Sequence, residues 1–543
     1  MKTTKLTHAL WVAALAMLFG GCASDNELTS PADKDNGNSA LLTFTAGTPD
    51  DGSAQTRVAY ADVGEDGGKL TWHKGDQLIM AGYIGSTYKG LRYYTYQGES
   101  GETSGNFTGN SISGAEKYIA YYPPSVFVDG TGKVFYPSMH IQRQQSATDK
   151  TAHLRDYMML QAEDITPGGS FTMKMKSSIM KFDLSGIPPE VGKLSSLIWT
   201  VDTEAGCRLL RLDFEDVIVD FGTGQSSLTA YLSFLTEEMS VKAGGKFSVI
   251  LVGDKTYRAQ VPIAGGKTYE EGKRYTATID GGWTEEALMM FTVKLDNGLN
   301  LSMPFNDKPL PAETTVDWGD GRELSSATSG TSANFSHTYL SAGEYTVTVY
   351  STETDDTKLQ IPALSFQSIG TKLIRIETPL LNTGNTSFNS CFYSCSNLES
   401  IPPGLFDKNT NVTNFRYCFA NCYSLTNIPK NLFAKNKAAK DFYFCFSTCR
   451  KLTLNPLIFG ASPTNPKKED TERFTGQTIN FTACFAKAGI SLGSNNNAGT
   501  APALWTYTNH ENFTSTDCFK DVNKNLLTNY DLIPSDWGGP ATP

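Results

Sequence analysis

Eight of the ten cysteines fall in the last third of the 543-residue chain. They come as pairs, Cys391/Cys395, Cys418/Cys422 and Cys445/Cys449, followed by single Cys484 and Cys518. Thiols at that density can hold zinc, form disulfides or pack as small apolar groups. Zinc would call for histidines or a paired second C-x2-C at ligand spacing, and neither accompanies these C-x3-C pairs. Burial is the first reading, since free cysteine is among the most buried residue types. Disulfides between repeats stand second and metal third. Elsewhere, Asp317 and Asp320 bracket Trp318 and Gly319, with Gly321 after them. Two carboxylates without further ligands make a turn rather than a calcium site. Gly489-Ile490-Ser491-Leu492-Gly493 has the G-x-S-x-G form. It sits in a Gly/Asn-rich insertion without a strand-to-helix context, and no acid lies between it and His510. The six histidines form no H-E-x-x-H, and no phosphate-binding loop occurs. No catalytic residue, metal or cofactor is expected, and the chain reads as a binding or assembly protein.

The N-terminus carries a different chemistry. Lys2 and Lys5 precede an apolar run, Ala9 to Phe19, that is too short to span a bilayer and fits a signal peptide. It ends in Gly20-Gly21-Cys22, which resembles a lipoprotein signal whose cysteine is acylated, although Phe19 stands where leucine is usual. The alternative is an ordinary secretory signal with an incidental cysteine. Acyl chains contribute about 0.8 kcal/mol per buried methylene, so a multiply acylated Cys22 would hold the chain to an outer membrane. Residues 1–21 are read as the signal and 22–39, small and polar, as a tether.

The elements that would position such sites are short strands. With 39% hydrophobic residues the chain can build cores, and its 49 Gly and 24 Pro punctuate strand-like runs. A net charge of -10 argues against nucleic acid as partner. Candidate strands include 41–46, 69–72, 77–83, 91–96, 117–122, 171–184, 197–202, 228–234, 247–252, 257–263 and 275–279, a spacing that fits β-sandwiches.

Within residues 40 to 280, Leu41-Leu42-Thr43-Phe44, Thr56-Arg57, Leu70-Thr71-Trp72-His73-Lys74-Gly75-Asp76, Tyr118-Ile119-Ala120-Tyr121-Tyr122-Pro123 and Met173–Phe182 recur in an order that resembles the fimbrillin family. That resemblance implies two transthyretin-like sandwiches, here 40–165 and 166–285. It also implies that polymerising members are cut after an arginine following the first strand, which would be Arg57, so that a neighbour's strand fills the groove. From the residues alone, Arg57 is an ordinary arginine of a polar loop.

Residues 286–352 hold Val316-Asp317-Trp318-Gly319-Asp320-Gly321, then His337-Thr338-Tyr339 and Gly343-Glu344-Tyr345-Thr346-Val347. This resembles a PKD domain, a small immunoglobulin-like sandwich with a W-x-F-G-D-G-type turn, except that no residue lies between Trp318 and Gly319. Gly319 and Gly321 would supply positive φ and Trp318 the core.

From residue 353 to 543 the cysteines mark a repeat. The C-F-x-x-C-x-x-L motifs start at 391, 418 and 445, 27 residues apart, with degenerate copies at 484 and 518. A period in the twenties with fixed Leu, Ile and Phe offsets is a leucine-rich solenoid signature, and the pattern resembles BspA-like repeats. The fold class expected is therefore mainly β: tandem transthyretin-like sandwiches, a PKD/immunoglobulin-like sandwich and a leucine-rich-repeat solenoid. The function expected is adhesion or binding, with a protein or glycan ligand on the repeat and exposed Tyr and Phe as its contacts. A fimbrial tip or accessory subunit, assembled with other subunits, is the second reading, and nutrient glycan capture the third.

Overall fold

The computed structural model describes residues 41–47, 71–123, 127–128, 131–132, 134–135, 139–144, 146–214, 217–296, 299–306, 308–460, 474–492, 498–507 and 510–540. Cys22, Arg57, the signal and the tether lie outside these residues. The chain is mainly β, arranged in several sheets. No described helix is long and apolar enough to cross a membrane.

The first sheet has eight strands, and its two edge strands, Ser170–Thr172 and Lys174–Met175, are joined by one residue, Met173. The sheet therefore wraps round and closes on itself, which removes its free edges. Strand Leu41–Gly47 lies inside it, antiparallel to Ser104–Asn110. Its alternation sends Phe44 and Ala46 into the core, where Trp72 donates from Nε1 to the Ala46 carbonyl at 3.0 Å. The expected strand at 69–72 is reduced, at its described end, to a single bridge from Trp72 to Glu102. Gly75 takes φ 89° in the turn that follows, and the Asp76 carboxylate accepts from the His73 amide there.

The long strand expected over 171–184 is three pieces in two sheets. Met173 and Met175 face the first core, whereas Met180, Phe182 and Leu184 face the second, so the inward parity changes between them. Ser177 and Ser178 make the change, their hydroxyls bonding Met159 N and Glu270 O. A run of apolar residues cannot reveal which core each one serves.

Strand Ser178–Ser185 then sits between Leu228–Phe234 and Arg274–Asp280 in a three-stranded sheet. This sheet covers a six-stranded one across a core of Phe182, Trp199, Phe234, Phe247 and Leu251. Strand Ile141–Arg143, from the 40–165 segment, closes the far edge of the six-stranded sheet beside Gly206–Asp213. Pairing thus crosses the 165/166 division in both directions.

The five-stranded sheet that follows these two layered units, called the third sheet below, runs Ser325–Ala327, Thr314–Asp317, Gly343–Ser351, Ala287–Leu295 and Leu373–Ile376. Its last strand lies beyond residue 352, and Arg375 bridges in parallel to Ser400 of the first coil. One apolar core accordingly runs from Ala287 to Trp537.

Candidate binding site on the stacked coils

Each coil of the C-terminal region places one phenylalanine over the next. Phe366, Phe392, Phe419, Phe446, Phe485 and Phe519 form a column with centroids 4.9 to 5.6 Å apart and planes within 9°. Main-chain bonds hold the same spacing: Phe392 N donates to Cys418 O, Phe419 N to Cys445 O, and Phe446 N to Cys484 O, at 2.7 to 2.8 Å. The residue before each first cysteine has left-handed φ: Ser390 59°, Tyr417 51°, Phe444 54°, Ala483 51° and Asp517 58°. So do Ser394, Asn421 and Thr448, before the second cysteines. Left-handed non-glycine residues cost of order 1 kcal/mol each, offset here by the inter-coil bonds and the shared core.

The eight repeat cysteines are buried free thiols. Cys422 Sγ lies 3.2 Å from Phe392 O and Cys449 Sγ 3.1 Å from Phe419 O, so each thiol points at the preceding coil's backbone. Burial pushes Cys391 and Cys449 up to about 12, and Cys395, Cys418, Cys422, Cys445, Cys484 and Cys518 also upward. Thiols held protonated are poor nucleophiles and poor metal ligands. Ser491 lies in a turn of this region, where its amide donates to Arg450 O at 2.8 Å.

Outside the column the coils carry a second, half-buried series. Tyr393, Tyr417 and Tyr443 come from three successive coils, with ring centroids 6.2 and 5.4 Å apart, and Phe444 lies 5.5 Å from Tyr417. The Arg416 guanidinium sits 4.3 Å from the Tyr443 centroid and 3.2 Å from an Asp441 oxygen. Burial, and then the neighbouring Tyr443, raises the Tyr417 hydroxyl above its ordinary value. On the next surface, Arg450 lies 5.4 Å over the exposed Tyr423 ring. Rigid aromatics with an arginine on one face are the residue types that carry binding energy in interfaces.

A cleft of about 900 Å³ opens between the second sandwich and the coils. Lys435 spans it, 3.6 Å from Asp254 and 3.3 Å from Asp407, while Lys408 meets Asp356 at 3.0 Å. Burial raises the Asp407 carboxyl, with Lys435 opposing. Ile218, at the rim, is 87% exposed.

Beneath both surfaces lies a buried ion network. Arg211 approaches Asp213 at 3.0 Å and Glu377 at 3.3 Å, and donates to Ile376 O at 2.9 Å. Arg375 meets Glu377 at 3.1 Å and Glu344 at 3.2 Å. Burial works to raise Glu377, yet Arg375 and Arg211 outweigh it and hold the carboxyl below its ordinary value. Second sandwich, third sheet and first coil are thus joined by charges that sequence reasoning missed. Arg211 and Asp213, two apart on one strand face, are the visible half of the signal; Glu377 is 166 residues away.

The W-G-D-G turn is tightly committed. Trp318 is buried and donates to Ser325 Oγ at 2.9 Å. Asp317 accepts from Gly319 N at 2.9 Å, and Asp320 meets His337 Nε2 at 2.7 Å. Gly319 and Gly321 have φ of 79° and 73°. A Cβ on Gly319 would fall 2.2 Å from Thr346 O, and one on Gly206 2.2 Å from Gly319 O, so the turn also seats the 203–206 hairpin. Both carboxylates are used within the turn.

The chain matches no family model. No curated protein matches it. Among solved structures it is similar to a candidate cell adhesion protein from Bacteroides ovatus, at 15% identity over 46% of this chain and 96% of that one, with a TM-score of 0.26. A candidate cell adhesion protein from Bacteroides uniformis is similar at 15% identity over 45% and 95%, with a TM-score of 0.26. A fimbrial protein from Bacteroides ovatus is similar at 13% identity over 45% and 50%, with a TM-score of 0.23.

Proposed function

We infer that the chain is a cell-surface adhesion protein, anchored to the outer membrane through lipid on Cys22, that meets a protein or glycan partner with its coil face. The stacked coils are taken as a BspA-like leucine-rich solenoid, the Trp318 region as a PKD-like spacer, and the two preceding sandwiches as fimbrillin-like. The observation that carries the reading is the Tyr393–Arg416–Tyr417–Tyr443–Phe444 patch. It collects aromatic and cationic side chains from successive coils on a backbone that stacking holds rigid. The test is adhesion by cells carrying Arg416→Ala/Tyr443→Ala, with surface display checked by antibody. Loss of roughly 2 kcal/mol of binding, about thirtyfold, is expected; full adhesion at equal display rejects the patch.

A second reading, assembly into a fimbria with other subunits, is favoured by strand Leu41–Gly47. Its removal after cleavage at Arg57 would leave a seven-residue slot along Ser104–Asn110 with a socket for Phe44. Mass spectrometry of the mature N-terminus separates the two. Acylated Cys22 throughout supports the anchored form, and a start at Val58 supports strand exchange. Glycan capture rests on the Lys435 cleft, and loss of glycan binding in Lys435→Ala would support it.

A further inference from the structure

The cleft between the second sandwich and the coils has two unlike walls. On the sandwich side Phe214, Val217, Ile218 and Val219 line it, and Ile218 stands almost fully exposed. On the coil side the lining is amide and hydroxyl, from Asn385, Thr410, Asn411 and Asn431. Beneath that wall the backbone is pinned from inside. Buried Asn409 accepts from Thr383 N at 3.0 Å and donates to Leu381 O at 3.1 Å. Buried Asn436, one period on, donates to Asn409 O at 2.9 Å. The main-chain amides of Asn385 and Asn431 are engaged too, by Thr383 Oγ1 at 3.2 Å and Leu457 O at 2.8 Å. Their side chains are not. Among the described residues, nothing in the chain bonds the side chains of Asn385, Thr410, Asn411 or Asn431. A fixed backbone carrying unengaged amides is a preorganised polar surface.

The carboxylates of the cleft are already paired. Asp356 takes Lys408 at 3.0 Å, while Asp407 and Asp254 share Lys435 at 3.3 and 3.6 Å. Lys408 and Lys435 stand one 27-residue period apart, at the same place in successive coils. Lys193 adds an exposed cation, opposed by the Asp254 carboxylate that its own amide meets at 3.2 Å. An anionic ligand would face three carboxylates, and a cationic one would compete with lysines already seated. A neutral ligand disturbs neither set.

The spacing of the polar wall narrows the choice further. Asn385, Asn411 and Asn431 precede Ser387, Asn414 and Asp441, which bridge in series, so they belong to three successive coils. Coil follows coil at 4.9 to 5.6 Å, the centroid spacing of the phenylalanine column. An extended peptide advances about 3.3 Å per residue and falls out of step with that rise. A β-linked pyranose unit is about as long as one coil step. Its hydroxyls both donate and accept, as a side-chain amide does, and its C–H face suits an aliphatic wall.

We propose that the cleft binds a neutral, extended oligosaccharide of about three or four units, a size that suits its volume of about 900 Å³. The chain of sugars runs along the coils, hydroxyls on the asparagine wall and ring faces against Ile218 and Val219. This rests on the glycan-capture reading and gives it a ligand class.

The experiment screens the full chain against neutral and acidic oligosaccharides of about two to six units, and uncharged peptides of similar length, with hits titrated by calorimetry. Neutral sugars of about three units or more are expected to bind, and acidic ones at least about tenfold more weakly. Asn411→Ala/Asn431→Ala is expected to lower affinity at least about tenfold, as is Ile218→Asp, each with an unchanged melting temperature. Arg416→Ala/Tyr443→Ala, on the other coil surface, is expected to leave it unchanged. Acidic sugars binding best would overturn the neutral ligand and leave glycan capture standing; no sugar binding at all would remove both. Neutral hits indifferent to both cleft variants, or peptides bound in place of sugars, also overturn the proposal.

Discussion

The first sheet and the stacked coils solve the same problem in opposite ways. In the sheet, strand Leu41–Gly47 buries Phe44 and Ala46 by simple alternation but finds Ser104–Asn110 about sixty residues away. In the coils each phenylalanine meets its counterpart one period on, and the backbone adopts left-handed turns to make that stack. The sheet has easy local geometry and distant partners; the coils have costly local geometry and partners at a fixed spacing. The lesson is that repetition lets a chain use conformations that a single turn could not sustain.

The sharpest way to break the contrast is Phe419→Ala. It empties the middle of the column, removing contacts to Phe392 and Phe446, and should cost about 5 kcal/mol. Because one core spans Ala287 to Trp537, calorimetry should show the third sheet and coils losing stability together, with the first sheet's transition unmoved. Separate losses would mean that the core is divided.

Next comes Arg211→Leu, which leaves Asp213 and Glu377 buried beside each other without their shared cation. About 4 kcal/mol is expected. The loss should uncouple the second sandwich from the coils, read as two unfolding transitions in place of one.

Third, the first core carries its own pH sense. His153 is buried between that core and Tyr231 O, and burial lowers it from 6.5 to about 4. A folded value below the unfolded one means stability is complete above pH 6.5 and is lost as pH falls toward 4, by about 3 kcal/mol. Denaturant midpoints across that window check it, and His153→Gln should flatten the slope. The smallest effect is Cys418→Ser, about 1–2 kcal/mol for a hydroxyl in an apolar slot. In the native chain the repeat thiols should resist maleimide at neutral pH until the coils unfold.

Legibility follows the same divide. The coil period was plain in the sequence because contacts recur at 27 residues through the first three copies, and Cys391, Cys418 and Cys445 mark it. The W-G-D-G turn was legible because Gly319 and Gly321 answer to local φ. The division of 171–184 between two cores was not, since Met175 and Met180 look alike in a string. The Arg416 stack was not legible because the Tyr443 ring it meets lies one coil later, nor was Glu377, because its partner Arg211 belongs to another sheet.

The left-handed residues have a consequence for how the coils come apart. A coil whose Ser390 or Tyr417 backbone is held by the next coil has no reason to keep that shape once the next coil leaves. The array should therefore fray from its far end, and the last turn bears a burden out of proportion to its size. There Phe519 N donates to Trp537 O at 2.8 Å, and Trp537 leans on Phe481 and Trp505. That tryptophan acts as the knot in a thread: trimming it away would let the unravelling travel inward, coil by coil, toward the third sheet.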